Sequence, residues 1–112
     1  MTKRKDNGLF TFRRYKKQEG KQSNKARHPK LIVDKNNTEY GFMGLTSSPK
    51  RGYHSNIKLE KNPKKNDIRQ AYIRKEIRYD SKNKFGQILN EYNLSNKDKK
   101  FIIDYVNKHK KR

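Results

Sequence analysis

The chain has 112 residues, of which 31 are Lys or Arg and 11 are Asp or Glu, for a formal net charge of +20 at pH 7. That length holds one domain with an arm rather than two domains, and with 29% hydrophobic and 38% charged residues any core is small and marginal. The absence of Cys excludes a disulfide framework, a thiolate nucleophile and a cysteine-held zinc site, and no apolar run approaches a membrane span.

So large a charge repels itself in a compact state and points to an anionic partner. Nucleic acid leads, because neutralising phosphates releases counterions and gives affinity that does not depend on sequence. A membrane surface fits less well, since no segment joins a strong apolar stripe to a basic face. An acidic protein partner stays open. The stretch MTKRKDNGLFTFRRYKKQEG lacks the continuous apolar region of a signal peptide, so a cytoplasmic location is expected by default.

Residues 1–27 read as a basic, flexible arm. Within it, LFTFRRYKK interleaves Phe10, Phe12 and Tyr15 with Arg13, Arg14, Lys16 and Lys17. Two readings are open: rings that stack on bases while the cations meet phosphates, or a short edge strand followed by a solvated linker. Removal of residues 2–21 is expected to weaken nucleic-acid binding without unfolding the remainder. Residues 28–112 then form the single folded domain.

HPKLIVD and TEYGFMGL, joined by the turn DKNN, read as a β-hairpin. A third strand is expected around Ile57 and Leu59. A fourth spans AYIRKEIRYD, with Ile73, Ile77 and Tyr79 on one face and Tyr72, Arg74, Glu76 and Arg78 on the other. KFGQILNEYN sets Phe85, Ile88, Leu89 and Tyr92 at i, i+3, i+4 and i+7, which predicts a helix over 84–92. A second helix is predicted over 96–109, capped by Ser95 with Asp98 in its first turn. Its buried stripe is Phe101, Ile102, Tyr105 and Val106. The fold class is α+β: a small, strongly curved antiparallel sheet with two C-terminal helices.

The segment GLTSSPKRG places three adjacent hydroxyls, Thr46, Ser47 and Ser48, directly after a strand. One reading is a turn, since Thr, Ser, Pro and Gly all favour turns. The other is a polar site at the end of the sheet. Antiparallel pairing would carry Arg27, His28 and Lys30 to the rim where these hydroxyls emerge. That set suits metal-free RNA cleavage: His28 has the intrinsic pKa for proton transfer. Thr46 and Ser47 would donate to phosphate oxygens and stabilise the charge of the transition state. A second ring of nucleic-acid contacts is expected from Ser48, Lys50, Arg51, His54, Tyr72, Arg74 and Arg78, joined by Arg13 and Arg14. The alternative for His28, a His before Pro at a strand start, is an ordinary surface residue. No His and carboxylate spacing suggests a metal site, and no cofactor is expected.

RHPKLIVD…YGFMGLTSSPK resembles the MazF/PemK-like toxins, whose core begins with Arg-Pro and an apolar strand and returns to Thr-Ser at the end of a later strand. Its LTSSPK is similar to a stretch of the ToxN-type toxins, and FGQILNEYNLSNKDKKFIIDYV resembles the MazF-like ending. The resemblance covers roughly residues 27–107. It implies an SH3-like barrel and a sequence-selective, metal-independent endoribonuclease acting on single-stranded RNA. It also implies a neutralising antitoxin, protein in one branch and RNA in the other. The family's Thr falls on Thr46 and the next hydroxyl on Ser47. The family's Arg falls on His28, with Arg27 one place earlier, and three readings stay open: His28 takes over proton transfer, Arg27 or Lys30 supplies the charge, or the site is inactive. The family's usual first strand is hard to see in NGLFTFRRY. The rival expectation is a non-catalytic basic protein of a phage or mobile element, binding nucleic acid or a nucleoprotein complex, as an anti-CRISPR inhibitor of host defence would.

Overall fold

KLIVDK and EYGFMGLT form the two long strands on which the rest is assembled. The computed structural model describes residues 8–16 and 28–110. In chain order the strands are β1 (Phe12–Tyr15), β2 (Lys30–Lys35), β3 (Glu39–Thr46), β4 (Lys50–Arg51), β5 (His54–Ser55), β6 (Ile57–Lys58), β7 (Tyr72–Ile73), β8 (Arg78–Ser81) and β9 (Phe85–Ile88). A 3-10 turn, Lys82–Lys84, links β8 to β9, and one α-helix, α1 (Asn96–His109), follows.

Seven of these strands form one antiparallel sheet, six along the path β6-β7-β3-β2-β1-β9 and β8 beside β3 off that path, while β4 and β5 pair only with each other. β3 is long enough to serve three neighbours. Along one edge it pairs with β2; along the other its first half meets β8 and its last residues meet β7. The stretch 71–80 is therefore not one continuous strand. Arg74–Ile77 break the alternation and carry the chain from one end of β3 to the other.

Five consecutive residues of β2, Lys30–Asp34, are buried, as a strand covered on both faces must be. Leu31 and Val33 join Phe12, Met43, Leu45, Leu59 and Ile73 in the main core, which Ile102 and Val106 of α1 complete. Ile32 turns the other way, to Phe42 and Phe85, with Tyr15 and Tyr40 packed against them. On that side the sheet bends. β1 and β8 are separated by β2 and β3, a gap of about 14 Å in a flat sheet with strands ~4.8 Å apart. Yet the Tyr15 hydroxyl donates to Asp80 Oδ2 at 2.8 Å. The sheet stays open and is not a closed barrel.

Three further expectations are corrected. Phe12–Tyr15, assigned to the flexible arm, form an internal strand between β2 and β9, and Phe12 is fully buried. Cutting the chain through residue 21 would remove that strand. Phe12→Ala alone is expected to cost about 3–5 kcal/mol, a large share of the roughly 5–15 kcal/mol typical of a whole domain. Chemical denaturation would measure it as a lowered midpoint.

Second, Phe85–Ile88 are a strand, so among the described residues there is one α-helix rather than two. The helical spacing of Phe85, Ile88, Leu89 and Tyr92 is real, but pairing with β1 wins. Phe85 enters the smaller cluster, while Leu89 and Tyr92 reach the main core. Third, Phe101 is 57% exposed and lies off the buried stripe of α1.

The helix otherwise follows its sequence. The Ser95 hydroxyl accepts from the Asp98 amide at 3.1 Å. The buried Asp98 carboxylate in turn accepts from the Glu60 and Lys61 amides at 2.9 and 3.2 Å, tying the start of α1 to the segment after β6.

Candidate nucleic-acid interface

Register decides which side chains share a surface. Lys30 stands opposite both Arg13 and Gly44, Phe42 opposite Arg78, and Thr46 opposite Tyr72. Directly opposed residues of an antiparallel pair lie on the same face, and 42, 44 and 46 of β3 share a face by alternation. One face thus gathers Arg13, Lys30, Thr46, Tyr72 and Arg78. Arg74 belongs to it too: a Cβ on Gly44 would lie 3.3 Å from Arg74 Cδ, so its stem crosses the backbone there. This basic row runs across β1, β2, β3 and the strands beyond.

Lys30 is its buried member, only 6% exposed. Its Nζ donates to the His28 carbonyl at 3.0 Å and stands 4.3 Å from the centre of the Tyr15 ring. Burial, followed by the charges of Arg78 and Arg14, pushes its pKa down to about 8. Tyr15 moves the other way. Burial, the hydrogen bond it gives Asp80 and that carboxylate's charge push it up to about 12. Burial works against ionisation of Asp80, but hydrogen bonds from Tyr15, the Ser81 amide and Lys84 hold its carboxyl below the usual range.

At one end of the row the strands bring the predicted rim together. The Leu45 amide donates to the Pro29 carbonyl at 3.0 Å, and His28 Nδ1 lies 3.4 Å from the Leu45 carbonyl. A carbonyl only accepts, so the contact is a hydrogen bond when Nδ1 carries a proton. His28, Thr46 and Ser47 line one hollow of about 210 Å³, shared with Lys64, Arg69 and Tyr92. Both readings of GLTSSPKRG therefore hold in part. The buried Thr46 hydroxyl accepts from the Ser48 amide at 3.1 Å, as in a turn, while Ser47 and Ser48 are exposed at the rim.

The remaining predicted contacts divide by place. Arg13 donates to the Gly86 carbonyl at 2.6 Å and Arg14 to the Tyr92 hydroxyl at 3.1 Å, so both are tied into the sheet rather than carried on a free arm. Lys50, Arg51 and His54 are exposed on the separate β4–β5 hairpin. Arg27 lies outside the described residues.

Sequence reasoning missed Lys64, Arg69 and the ring of Tyr15 beneath Lys30. The first two sit in NPKKNDIRQ, which has no periodicity from which a surface could be read. Arg69 is also held by Asp67, through hydrogen bonds that keep that carboxyl near 2. Among the described residues no group of three or more His, Asp or Glu could hold a metal ion, and no helix is long and apolar enough to cross a membrane. Compared with known proteins, the chain matches no family model, no curated protein and no solved structure.

Proposed function

We propose that the chain binds single-stranded RNA along this basic face and cleaves it at the His28–Thr46 rim, as a divergent MazF/PemK- or ToxN-like endoribonuclease. The observation that carries the reading is Lys30: a buried cation whose pKa falls to about 8, in a row of arginines that ends at an imidazole and two hydroxyls. Arginine and lysine side chains suit phosphate oxygens. Groups that titrate near neutral pH suit proton transfer.

In the reaction His28 takes the proton of a ribose 2′-hydroxyl, whose oxygen forms a bond to the adjacent phosphorus. The bond from phosphorus to the 5′-oxygen breaks, and the Lys30 ammonium returns a proton to that oxygen. Ser47, Arg74 and Arg78 stabilise the additional charge on the phosphoryl oxygens. The products are a 2′,3′-cyclic phosphate and a 5′-hydroxyl. This acid, base and cation set needs no metal for the chemistry. The strand order β9-β1-β2-β3-β8, with its outer members joined by one 3-10 turn, supports an SH3-like ancestry for a sheet that is open. A neutralising antitoxin is the partner that goes with this reading.

One observation favours a second reading, a basic binder of nucleic acid or nucleoprotein without catalysis. Thr46 is buried, 6% exposed, which keeps its hydroxyl from a bound phosphate. Labelled single-stranded RNA incubated with the protein in EDTA separates the two. Cleavage is expected, with cyclic phosphate ends, whereas DNA of the same sequence should bind and stay whole. RNA bound tightly but intact from pH 6 to 9 would leave the binder reading in its place.

A further inference from the structure

Between β3 and β6 the chain leaves the sheet in a hairpin that packs on no core. Lys50 pairs with Ser55 and Arg51 with His54, and all six residues from Lys50 to Ser55 are exposed. An isolated two-stranded hairpin is marginal in water, so local chemistry must hold this one. Its base is fastened by Asn56, whose amide donates to the Pro49 carbonyl at 2.8 Å and whose side chain donates to the Ser48 carbonyl at 3.0 Å. Its tip is the two-residue loop Gly52–Tyr53. Gly52 has φ +61° and Tyr53 does not share that sign, the pattern of a type II′ turn with glycine first. The turn gives Tyr53 no neighbour to pack against: it is fully exposed.

We infer that this hairpin is a second contact for single-stranded nucleic acid, in which the Tyr53 ring stacks on an unpaired base. The inference rests on the RNA-binding reading above and adds a site to it. Charge selects the occupant. From Thr46 to Leu59 the chain carries Lys50, Arg51 and Lys58, with His54, and no Asp or Glu. An exposed ring flanked by cations offers a π-face to a base and positive charge to the phosphates on either side. Stacking is tolerant of sequence because every base has a face, so the hairpin holds the strand and leaves the choice of cleavage position to the rim. A paired base already has its faces stacked within the duplex, so the ring favours unpaired over duplex RNA.

The chain has no Trp, so Tyr53→Trp gives a single Trp at the tip, excited apart from the tyrosines, and its full exposure makes the exchange harmless to folding. The probes are a uridine oligonucleotide and an abasic oligomer of equal length and charge. The uridine oligomer is expected to quench the Tyr53→Trp emission, and the abasic one to leave it unchanged. Tyr53→Ala should lower affinity for the uridine oligomer by about 10–100-fold, with affinity for the abasic one unaltered and Tyr53→Phe close to wild type. Equal quenching by both oligomers, or by polyglutamate, overturns the stacking assignment. So does an unchanged affinity in Tyr53→Ala, while wild-type binding would leave the basic face standing. A wild-type protein that binds neither oligomer overturns both.

Discussion

Lys30→Met should strengthen the fold at neutral pH and remove the cleavage proposed above. Folding lowers the pKa of Lys30 from 10.5 to about 8. Between those values the unfolded chain holds the extra proton, so the stability contribution of Lys30 rises with pH across the window and is least below pH 8. Removing the charge should therefore gain roughly 1–3 kcal/mol at pH 7, after allowance for the lost hydrogen bond to the His28 carbonyl. The advantage of the variant should shrink as pH rises from 8 to 10. Measurement stops there because Tyr15, raised from 10.0 to about 12, makes stability fall as pH rises between those values. Affinity for RNA should drop about tenfold or more, and cleavage about 10²–10⁴-fold if Lys30 donates the proton. A variant that is less stable by the same margin at every pH would show that Lys30 is not held against its own charge.

Salt should act as strongly as any substitution. If about six phosphates are neutralised, affinity for single-stranded RNA should fall roughly 300-fold between 50 and 200 mM salt, from a slope of about −0.7 per phosphate. Replacing Arg74 and Arg78 by Gln should flatten that slope by about 1.4 if each meets one phosphate. Fluorescence anisotropy across a salt series measures both. A slope that the double variant leaves unchanged would place the bound strand elsewhere on this +20 chain.

Where partners lie close along the chain, the sequence was readable. The β2–β3 hairpin, Ser95 at the head of α1 and the buried Ile102 and Val106 all follow from local pattern. Reading failed where the partners that decide a segment's conformation lie far away along the chain. Phe85, Ile88, Leu89 and Tyr92 have helical spacing because Phe85 faces one cluster while Leu89 and Tyr92 face the other. Residues 71–80 alternate like a single strand but divide between two stretches of β3. Phe12 sits among cations, and only its long-range partners bury it. The rim was legible because His28 and Thr46 flank paired strands. The depression of Lys30 was not, since it depends first on burial among strands far apart in sequence and then on the charges of Arg78 and Arg14.

The place of β1 also has a consequence in time. Its two neighbours are β2 and β9, and the second pairing joins Arg13 to Ile88 and Tyr15 to Phe85. Phe12 cannot be enclosed until β9 has been made. At ~5–20 residues per second, synthesis of the intervening stretch takes roughly 4–15 s. For that interval an aromatic, cationic strand waits with one edge unpaired beside the ribosome, itself a mass of RNA. Pairings so distant along the chain also slow the final step, toward the millisecond-to-second range of β-rich domains. The cell therefore meets this protein first as an adhesive polycation and only later as a folded sheet.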